Sequence, residues 1–430
     1  MQLINNPNPK DWKELCQRPT ASLEELMPIV RSVFEEVSRN GDTALKNYTE
    51  QFDGVSCADL ALTATQIEEA INKVDESLKE AIQQAYQNIK KFHLAQQTEA
   101  VTVETQEGVR CWQKKYPIEK VGLYIPGGTA PLFSTVLMLA IPAMIAGCSE
   151  IILCSPPQKS GKIAAEIIYT ANLCGLNKIY TVGGSQAIAA MSLGTKSIPK
   201  VDKIFGPGNQ YVTAAKQFAS QGNVSIDMPA GPSEVLVAID KNTNLDFVAA
   251  DLLSQAEHGK DSQVVLVTTA PEKIGLLNAV LTDQLSQLPR KDIAQKALEN
   301  SKIISFEDDS TAIDFINFYA PEHYIINLDN LNKYVEGVRH AGSVFIGPYT
   351  PESAGDYASG TNHTLPTNGY ARQYSGVNLD SFQKAITFQE ITAKGIQNLG
   401  PVVEKMAAAE GLEAHKYAVT SRLQTLKGNQ

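Results

Sequence analysis

Histidines, carboxylates and one glutamine stand at spacings that could do proton-transfer or metal chemistry. Glu322 and His323 are adjacent in YAPEHY, directly after Pro321, where a helical pattern gives way to an apolar run. Gln255 and His258 are three residues apart in LLSQAEHG, so on a helix their side chains share one face and can reach one point. An imidazole has a pKa near working pH and can exchange protons with a substrate. A solvated loop or a surface ion pair is the alternative for an adjacent Glu–His pair.

A second group of candidates lies towards the end of the sequence. Asp356 and His363 belong to the polar segment ESAGDYASGTNHTLPTNGYAR, whose length and small residues fit a ligand-binding loop. Glu410 and His415 follow in AEGLEAHKYAV. Amide oxygen, imidazole and carboxylate are suitable ligands for zinc or a similar divalent ion, but no short metal motif joins these residues. A metal site and a scattered set of polar side chains both remain open at this point.

Three glycine-rich turns favour a phosphate-binding function. YIPGGTAP (124–131), VGGSQA (182–187) and FGPGNQ (205–210) each follow an apolar run and precede a helical pattern. Glycine permits close backbone approach, and a helix start offers free N–H groups and partial positive charge to a phosphate. None of the three turns is the GxGxxG fingerprint, so ordinary tight turns are the alternative to a nucleotide site.

Composition narrows the class of protein. The 430 residues are 43% hydrophobic and 20% charged, which is typical of a globular protein with more than one domain. The net charge of -10 disfavours nucleic acid and anionic membranes as partners, so small molecules are expected. No stretch resembles a membrane helix or a secretory signal, which predicts a cytoplasmic location. The six cysteines include no CxxC pair and are expected to be reduced thiols.

Short apolar runs alternate with helical segments from about residue 119 onward, which predicts βαβ units and parallel sheets. The predicted fold class is α/β, with two incomplete Rossmann-like parallel-sheet domains, an N-terminal helical segment and a C-terminal helical arm. The predicted boundaries are 1–21 for the N-terminal segment, 22–123 with 235–380 for a discontinuous first α/β domain, 124–234 for the second α/β domain and 381–430 for the arm. The helices of residues 22–95 are expected to complete the first domain. The arm is expected to be helical without a strand and to pack on the body or on a second subunit, because it cannot easily bury a core of its own.

Several motifs together closely resemble the histidinol dehydrogenase family. They are VGLYIPGG, FGPGNQYV, DMPAGPSEVLV, LLSQAEHG, YAPEHY, SAGDYASGTNHTLPTNGYAR and AEGLEAHKYAV, in this order over nearly the whole chain. The resemblance implies a zinc-dependent, NAD-linked enzyme that takes L-histidinol through L-histidinaldehyde to L-histidine, the last two steps of histidine biosynthesis. It also implies an intertwined homodimer in which the terminal arm reaches into the neighbour's site.

The resemblance also gives each candidate residue a role by its place in a motif. It implies one zinc ion per subunit with the ligands Gln255, His258, Asp356 and His415. The implied NAD contacts are Tyr124, Gln186 and Asn209. The implied substrate contacts are Ser233, Gln255, His258, His323, Asp356, His363, Glu410 and His415. The two residues on the arm, Glu410 and His415, would act across the dimer.

By the same resemblance, Glu322 and His323 are the catalytic pair. His323 would take the hydroxyl proton as hydride leaves, and Glu322 would help water attack the aldehyde, with Pro321 fixing the turn. Zinc would hold the amino and imidazole groups of the substrate, or it would act as a Lewis acid. His93 and His340 are expected to have structural or surface roles. A zinc hydrolase on an α/β scaffold and a non-catalytic binding protein of the same ancestry as the family are the two rival functions.

Overall fold

The computed structural model describes residues 1–19, 23–127 and 130–428. Within them the strands are, in chain order, β1 (Gln2–Asn5), β2 (Val101–Gln106), β3 (Val109–Pro117), β4 (Lys120–Tyr124), β5 (Glu150–Ser155), β6 (Ile179–Thr181), β7 (Lys203–Phe205), β8 (Ser225–Ile226), β9 (Glu234–Ile239), β10 (Gln263–Thr268), β11 (Lys302–Ser305), β12 (His323–Asn327), β13 (Ser343–Ile346) and β14 (Gln383–Ile391). The helices are, in chain order, α1 (Trp12–Leu15), α2 (Leu23–Asn40), α3 (Asp42–Asp53), α4 (Ala64–Ile71), α5 (Glu76–Leu94), α6 (Phe133–Ala146), α7 (Ala165–Leu173), α8 (Gly184–Leu193), α9 (Gln210–Ala219), α10 (Leu245–Ala256), α11 (Ile274–Gln287), α12 (Lys291–Glu299), α13 (Asp309–Tyr319), α14 (Leu331–Glu336), α15 (Glu352–Tyr357), α16 (Ala393–Ala409) and α17 (Glu413–Gly428). None of these described helices has the length and apolar character needed to span a membrane.

One parallel sheet has the strand order β1-β11-β10-β9-β12-β13. Its strands β9 and β10 read EVLVAI and QVVLVT, and every residue of both is buried. Strands buried on both faces are typical of parallel sheets, because the crossover helices cover both sides. Here α10, α11 and α12 cover one face, and α13 with α14 covers the other.

A second parallel sheet has the strand order β6-β5-β4-β7-β8. Helices α6 and α7 cover one face of this sheet, and α8 and α9 cover the other. Helix α6 reads FSTVLMLAIPAMIA and is apolar all round, which is typical of a helix that is buried between other elements. Two parallel sheets with helices on their faces confirm the predicted α/β fold class.

The helices of residues 23–94 pack on this second sheet rather than on the first. Helices α2 and α3 lie against α8 and α9, and α4 and α5 lie against α7 and α6. The prediction that the helices of residues 22–95 complete a domain with 235–380 is therefore wrong. The helical periodicity of the sequence defines the apolar face of each helix, but it carries no information about which sheet that face meets.

The N-terminal segment supplies an edge strand. Strand β1 pairs in parallel with β11 along its whole length. In α1 the ring of Trp12 is buried and packs edge-on against Phe315 in the core beneath the same sheet. The segment predicted as 1–21 therefore contributes, within its described residues 1–19, an edge strand to the first sheet and side chains to the core beneath it.

Residues 97–117 and 383–428 form a separate compact unit. In it, β14, β3 and β2 make an antiparallel sheet, and α16 packs against α17. The close approach of the two helices depends on Gly400, because a Cβ there would meet the side chain of Leu423 at 2.9 Å. No residue of α17 is buried in the described chain.

The prediction of a helical arm without a strand over 381–430 is wrong at β14. Its sequence QKAITFQEI carries β-branched and aromatic residues, which favour a pleated strand. Strand β14 pairs with β3 over nine residues, and Phe388 stacks on the opposite Trp112 with 5.3 Å between ring centroids. This ladder joins segments far apart in the sequence, so the local pattern favours a strand but does not indicate that it pairs with β3.

Candidate active site

Glu322 and His323 lie at the amino end of β12, between β9 and β13. Helix α13 ends at Tyr319, and Ala320 adopts a left-handed conformation with φ of 53° before Pro321 leads into the pair. Both side chains of the pair are buried, with exposed fractions of 5% and 4%. Parallel sheets usually bind ligands at the carboxyl edge, so this pair occupies the less common edge of its sheet.

Glu234, the first residue of β9, holds both members of the pair through its backbone. Its N–H donates to Oε2 of Glu322 at 2.8 Å, and its carbonyl oxygen accepts from Nδ1 of His323 at 3.2 Å. A carbonyl oxygen can only accept, so Nδ1 carries a proton and Nε2 has the free lone pair in the neutral ring. Among the described residues Nε2 has no hydrogen-bond partner, and it lies 3.5 Å from Oδ1 of Asp356. The neutral imidazole can therefore accept a proton through Nε2.

The pKa values of the pair respond to burial and to neighbouring charges. Burial raises the pKa of Glu322 to about 8, although His323 opposes this shift. Burial alone would lower the pKa of His323, but the surrounding carboxylates, first that of Glu352, raise it well above its ordinary value. The site thus concentrates acidic groups whose charge a cationic substrate or a metal ion can offset.

Glu352 is a site residue that the sequence analysis missed. Its side chain is 1% exposed, and neither carboxylate oxygen has a hydrogen-bond partner among the described residues. Its Oε1 lies 3.7 Å from Nδ1 of His323, and burial raises its pKa well above the ordinary value. Glu352 and Asp356 are four residues apart on α15 and so share one face. That spacing was visible in ESAGD and would have found Glu352.

Three of the four predicted metal ligands belong to the unit that contains the pair. Gln255 is fully buried at the end of α10, and both polar atoms of its amide lack a partner among the described residues. His258 lies just after the same helix and its side chain is exposed. Desolvation of its imidazole by the surrounding protein lowers its pKa, and the nearby carboxylate of Asp356 opposes that shift. A buried amide without a partner is unfavourable unless a ligand satisfies it. The donor set of amide, imidazole and carboxylate fits a zinc ion.

A second grouping overlaps the predicted ligands at one residue. His323, Glu352 and Asp356 offer ligand atoms that all lie within 4.8 Å of one another. The remaining predicted ligand, His415, is exposed on α17 of the separate unit, and Glu410 directly follows α16 in that unit. The unit that contains the pair thus supplies amide, imidazole and carboxylate donors by itself.

The three predicted NAD contacts line one cleft. Tyr124, Gln186 and Asn209 lie in its wall, and its volume is about 740 Å³. These residues follow or end β4, β6 and β7, so the cleft lies at the carboxyl edge of its sheet, where α/β proteins bind nucleotides. The volume is in the range of small-molecule sites. Two residues of the first glycine-rich turn, Gly128 and Thr129, lie outside the described residues.

A buried ion pair holds the turn after β7. Lys216 contacts Asp227, and each also binds Gly206, through its carbonyl oxygen and its N–H respectively, at 2.8 Å. Gly206 has φ of 130°, and a Cβ at this position would collide with the backbone of Tyr124. Asn209 then caps α9 by accepting from two backbone N–H groups. This turn is predicted from the sequence, whereas the ion pair that holds it is not.

The other two predicted substrate contacts in this unit are Ser233, which directly precedes β9, and His363. Nδ1 of His363 donates to the carbonyl oxygen of Asp356 at 2.8 Å, and Nε2 lies 3.0 Å from Oγ1 of Thr135 in the first turn of α6. Burial lowers the pKa of His363. His363 therefore connects α15, which carries Asp356, with α6, the helix that follows β4.

Residues expected to be structural are found in structural positions. His93 is fully buried in α5, where its Nδ1 donates to the carbonyl oxygen of Ile89 at 2.9 Å. All six cysteines are free thiols, as expected from their spacing.

The fold and the two sites define an α/β protein with a nucleotide-sized cleft at one sheet and a buried acid–base pair at the other. A family model described as histidinol dehydrogenase matches residues 16–423. Histidinol dehydrogenase of Bacteroides thetaiotaomicron is 56% identical over 427 residues, which cover 99% of this chain and 100% of that protein. Histidinol dehydrogenase of Vibrio parahaemolyticus is 52% identical over 419 residues, which cover 97% of this chain and 96% of that protein. The crystal structure of histidinol dehydrogenase from Elizabethkingia anophelis is 56% identical, has a TM-score of 0.96 and covers 99% of each chain.

The chain belongs to the histidinol dehydrogenase family. It is therefore an oxidoreductase of histidine biosynthesis, and the family implies an NAD-type cofactor. Histidinol as the substrate fits this enzyme class. Family membership removes the zinc hydrolase, and the presence of both Glu322 and His323 argues against a non-catalytic binding protein of the same ancestry.

Proposed function

We propose that this enzyme oxidises L-histidinol through L-histidinaldehyde to L-histidine with two NAD+, and that Glu322 and His323 carry out the proton transfers. The hydrogen bond from Nδ1 of His323 to the carbonyl oxygen of Glu234 supports this proposal most directly. It leaves Nε2 as the nitrogen that accepts a proton, in a site from which water is largely excluded.

In the first oxidation, Nε2 of His323 takes the hydroxyl proton of histidinol while the hydride on the same carbon leaves for NAD+. The products are histidinaldehyde, NADH and a protonated imidazole. The carboxylates around the ring favour that protonated form, which lowers the cost of the proton transfer.

The aldehyde has no hydroxyl group on the carbon to be oxidised until water adds to it. In its ionised form, Glu322 takes a proton from the attacking water, while the protonated His323 gives its proton to the carbonyl oxygen, so a gem-diol forms and the imidazole is neutral again. Oε2 of Glu322 lies 3.6 Å from Nδ1 of His323. The gem-diol repeats the first step: the neutral His323 accepts a hydroxyl proton while a second hydride leaves for the second NAD+, which gives the carboxyl group of L-histidine. Adjacent residues can thus serve one small reacting centre in turn.

The proposed zinc ligands are Gln255, His258, Asp356 and His415. The amide of Gln255, which has no hydrogen-bond partner in the described part of the chain, and the neighbouring imidazole and carboxylate support this set. A bound zinc ion supplies positive charge that can hold the amino and imidazole nitrogens of histidinol. The protein residues Ser233 and His363, together with these ligands and Glu410, would orient the rest of the substrate.

The proposed NAD contacts are Tyr124, Gln186 and Asn209 in the cleft of about 740 Å³. The hydroxyl oxygen of Tyr124 accepts from the N–H of Gly184 at 3.1 Å, which fixes the phenol at the start of α8. Free N–H groups at that helix start are suited to a phosphate of the cofactor.

We also propose a homodimer in which Glu410 and His415 serve the site of the second copy. On the unit that carries them, Val402, Met406 and Tyr417 are exposed by more than half of their surface. Apolar side chains exposed on neighbouring helices favour burial against another chain. The cytoplasmic location stays a prediction from the sequence.

The stoichiometry of NADH formation tests the proposal. With limiting L-histidinol and excess NAD+, two NADH should form per histidinol, and a chelator should abolish the reaction until zinc is added back. One NADH per histidinol would exclude the second oxidation. Full activity in protein shown to be free of metal would exclude the zinc requirement.

A further inference from the structure

We propose that Arg18 is a positioning residue for the Glu322–His323 pair, because its guanidinium ties together the two chain segments that hold this pair. The segments are the start of β9 and the end of α13. The inference rests on the proposed catalytic roles of the pair and adds to them a residue outside the catalytic motifs.

The first tie is a buried, bidentate ion pair. Nε of Arg18 contacts Oε2 of Glu234 at 2.7 Å, and Nη2 contacts Oε1 at 3.0 Å. The two side chains are 6% and 0% exposed. Paired N–H groups on two carboxylate oxygens fix orientation as well as distance, which a single contact does not.

The second tie reaches the residue that ends α13. Nη2 of Arg18 donates to the carbonyl oxygen of Tyr319 at 2.7 Å, and the guanidinium carbon lies 3.7 Å from the centre of the Tyr319 ring. The hydroxyl of Tyr319 donates in turn to Oε1 of Gln263 at 2.9 Å. Tyr319 is followed by the left-handed Ala320, so Arg18 fixes the chain just before its turn into the pair.

Both ties converge on the pair through Glu234. The side chain of Glu234 binds Arg18, while its backbone N–H and carbonyl oxygen bind Glu322 and His323. A shift of Glu234 would therefore move the partner of the proposed water-activating carboxylate and the partner of the proposed base together. Strand pairing sets the register of β9 and β12, and Arg18 fixes their common amino end.

Stability alone gives little reason for this arrangement. A buried ion pair loses hydration of both charges, and apolar residues of similar volume often stabilise a fold as well or better. The pair Arg18–Glu234 instead lies where the backbone of one residue, Glu234, contacts both proposed catalytic side chains. Position, rather than free energy of folding, is what the pair contributes.

A cavity beside Arg18 makes the inference testable by chemical rescue. Its volume is about 410 Å³, and its wall includes Lys13, Arg18, Phe318, Tyr319 and Arg372. A small guanidinium ion can enter such a cavity and occupy the space that a shortened side chain leaves. Rescue of this kind restores a positioned group, and it does not repair a general loss of folding.

The test compares Arg18→Ala with the wild-type enzyme in steady-state oxidation of histidinol. The expected result is a fall in kcat of about 10- to 100-fold, the size expected for a misplacement of about 1 Å. KM for histidinol should stay within about threefold of the wild type, because Arg18 makes no proposed contact with substrate. Millimolar methylguanidinium should restore part of the lost kcat in Arg18→Ala and should leave the kcat of the wild type unchanged.

Two further variants make each outcome informative. Ile303→Ala lowers stability in β11 of the same sheet, two strands away from β9, and should keep kcat and ignore methylguanidinium. Arg18→Lys keeps a charge near Glu234 without the bidentate contact, and it should show an intermediate kcat. If Arg18→Ala does not fold, Arg18→Lys decides: a lowered kcat at unchanged KM supports the inference, and wild-type kcat overturns it.

Glu322→Gln and His323→Asn are measured in parallel, because the inference depends on their roles. If both retain wild-type kcat, the proposed catalytic roles fail, and the positioning role fails with them. If both lose activity while Arg18→Ala keeps kcat within about twofold, only the positioning role is overturned. The positioning role would also be overturned if methylguanidinium does not relieve the fall in kcat of Arg18→Ala and Ile303→Ala shows a fall of the same size.

Discussion

Oε1 of Glu352 lies 3.7 Å from Nδ1 of His323, and neither oxygen of this buried carboxylate has another partner among the described residues. The charge of Glu352 is the largest influence that raises the pKa of His323. Glu352→Gln keeps the volume and removes the charge, so the pKa of His323 should fall. The acid limb of the kcat profile for histidinol oxidation should then move to lower pH, because neutral imidazole persists further into the acid range.

The control for that profile is Glu257→Gln, which removes a carboxylate from the end of α10 that has no assigned role. Its acid limb should coincide with that of the wild type. An acid limb that stays in place or moves to higher pH in Glu352→Gln would contradict the influence of Glu352 on the imidazole.

A second prediction about pH concerns the contribution of Glu322 to the stability of the folded protein. Its pKa is raised from 4.5 to about 8 by burial, so between these values the unfolded chain has released a proton that the folded chain still holds. The contribution of the protonated carboxyl to folding is complete below pH 4.5 and is lost as pH rises towards about 8. Glu322→Gln has no such loss, so its melting temperature relative to the metal-free wild type should increase over this range. A constant difference between the two proteins would argue against the raised pKa.

The metal ligands can be tested without measuring activity. His258→Ala and Asp356→Ala should each bind substoichiometric zinc and should bind histidinol more weakly, because the same ion is proposed to hold the substrate. Elemental analysis and calorimetric titration measure the two effects. The matched control is His340→Ala, which removes an imidazole without a proposed role. A His258→Ala protein with full zinc content and normal histidinol affinity would remove His258 from the ligand set.

How much of this site the sequence predicts depends on how local each contact is. Two signals are local: the spacing of Gln255 and His258, and the three glycine-rich turns. The structure places Gln255 and His258 at the end of α10, and it places the turns mainly around one cleft. The contact from Glu234 to Glu322 joins residues 88 positions apart through a backbone N–H, which no side-chain pattern encodes. Arg18 is more distant still, 216 residues from Glu234.

In the fold, too, local features are predicted from the sequence and contacts between distant segments are not. Alternating apolar and helical segments predicted parallel sheets, because the crossover helix of each βαβ unit is continuous in the chain. The position of the helices of residues 23–94 and the pairing of β14 with β3 depend on contacts between distant segments. Amphipathic periodicity shows that a face must be buried, and it leaves the partner undefined.

Subunit exchange tests the proposal that His415 serves the site of a second copy. His323→Ala and His415→Ala homodimers should each be nearly inactive, and mixing them under conditions of exchange should restore activity, because some heterodimers contain one intact site. Mixing His323→Ala with Glu322→Gln, which share one site, is the control and should restore none. Verified exchange without recovery would place His415 in the site of its own chain.

The most direct measurement is single-turnover kinetics of the two half-reactions, started from histidinol and from histidinaldehyde, in Glu322→Gln and His323→Asn. Glu322→Gln should slow the aldehyde step by about 10²- to 10⁴-fold and leave the alcohol step much less affected, since only the aldehyde needs activated water. His323→Asn should slow both steps, since each hydride transfer releases a hydroxyl proton. Small and equal effects of both variants on both half-reactions would contradict the assignment of proton transfer to this pair.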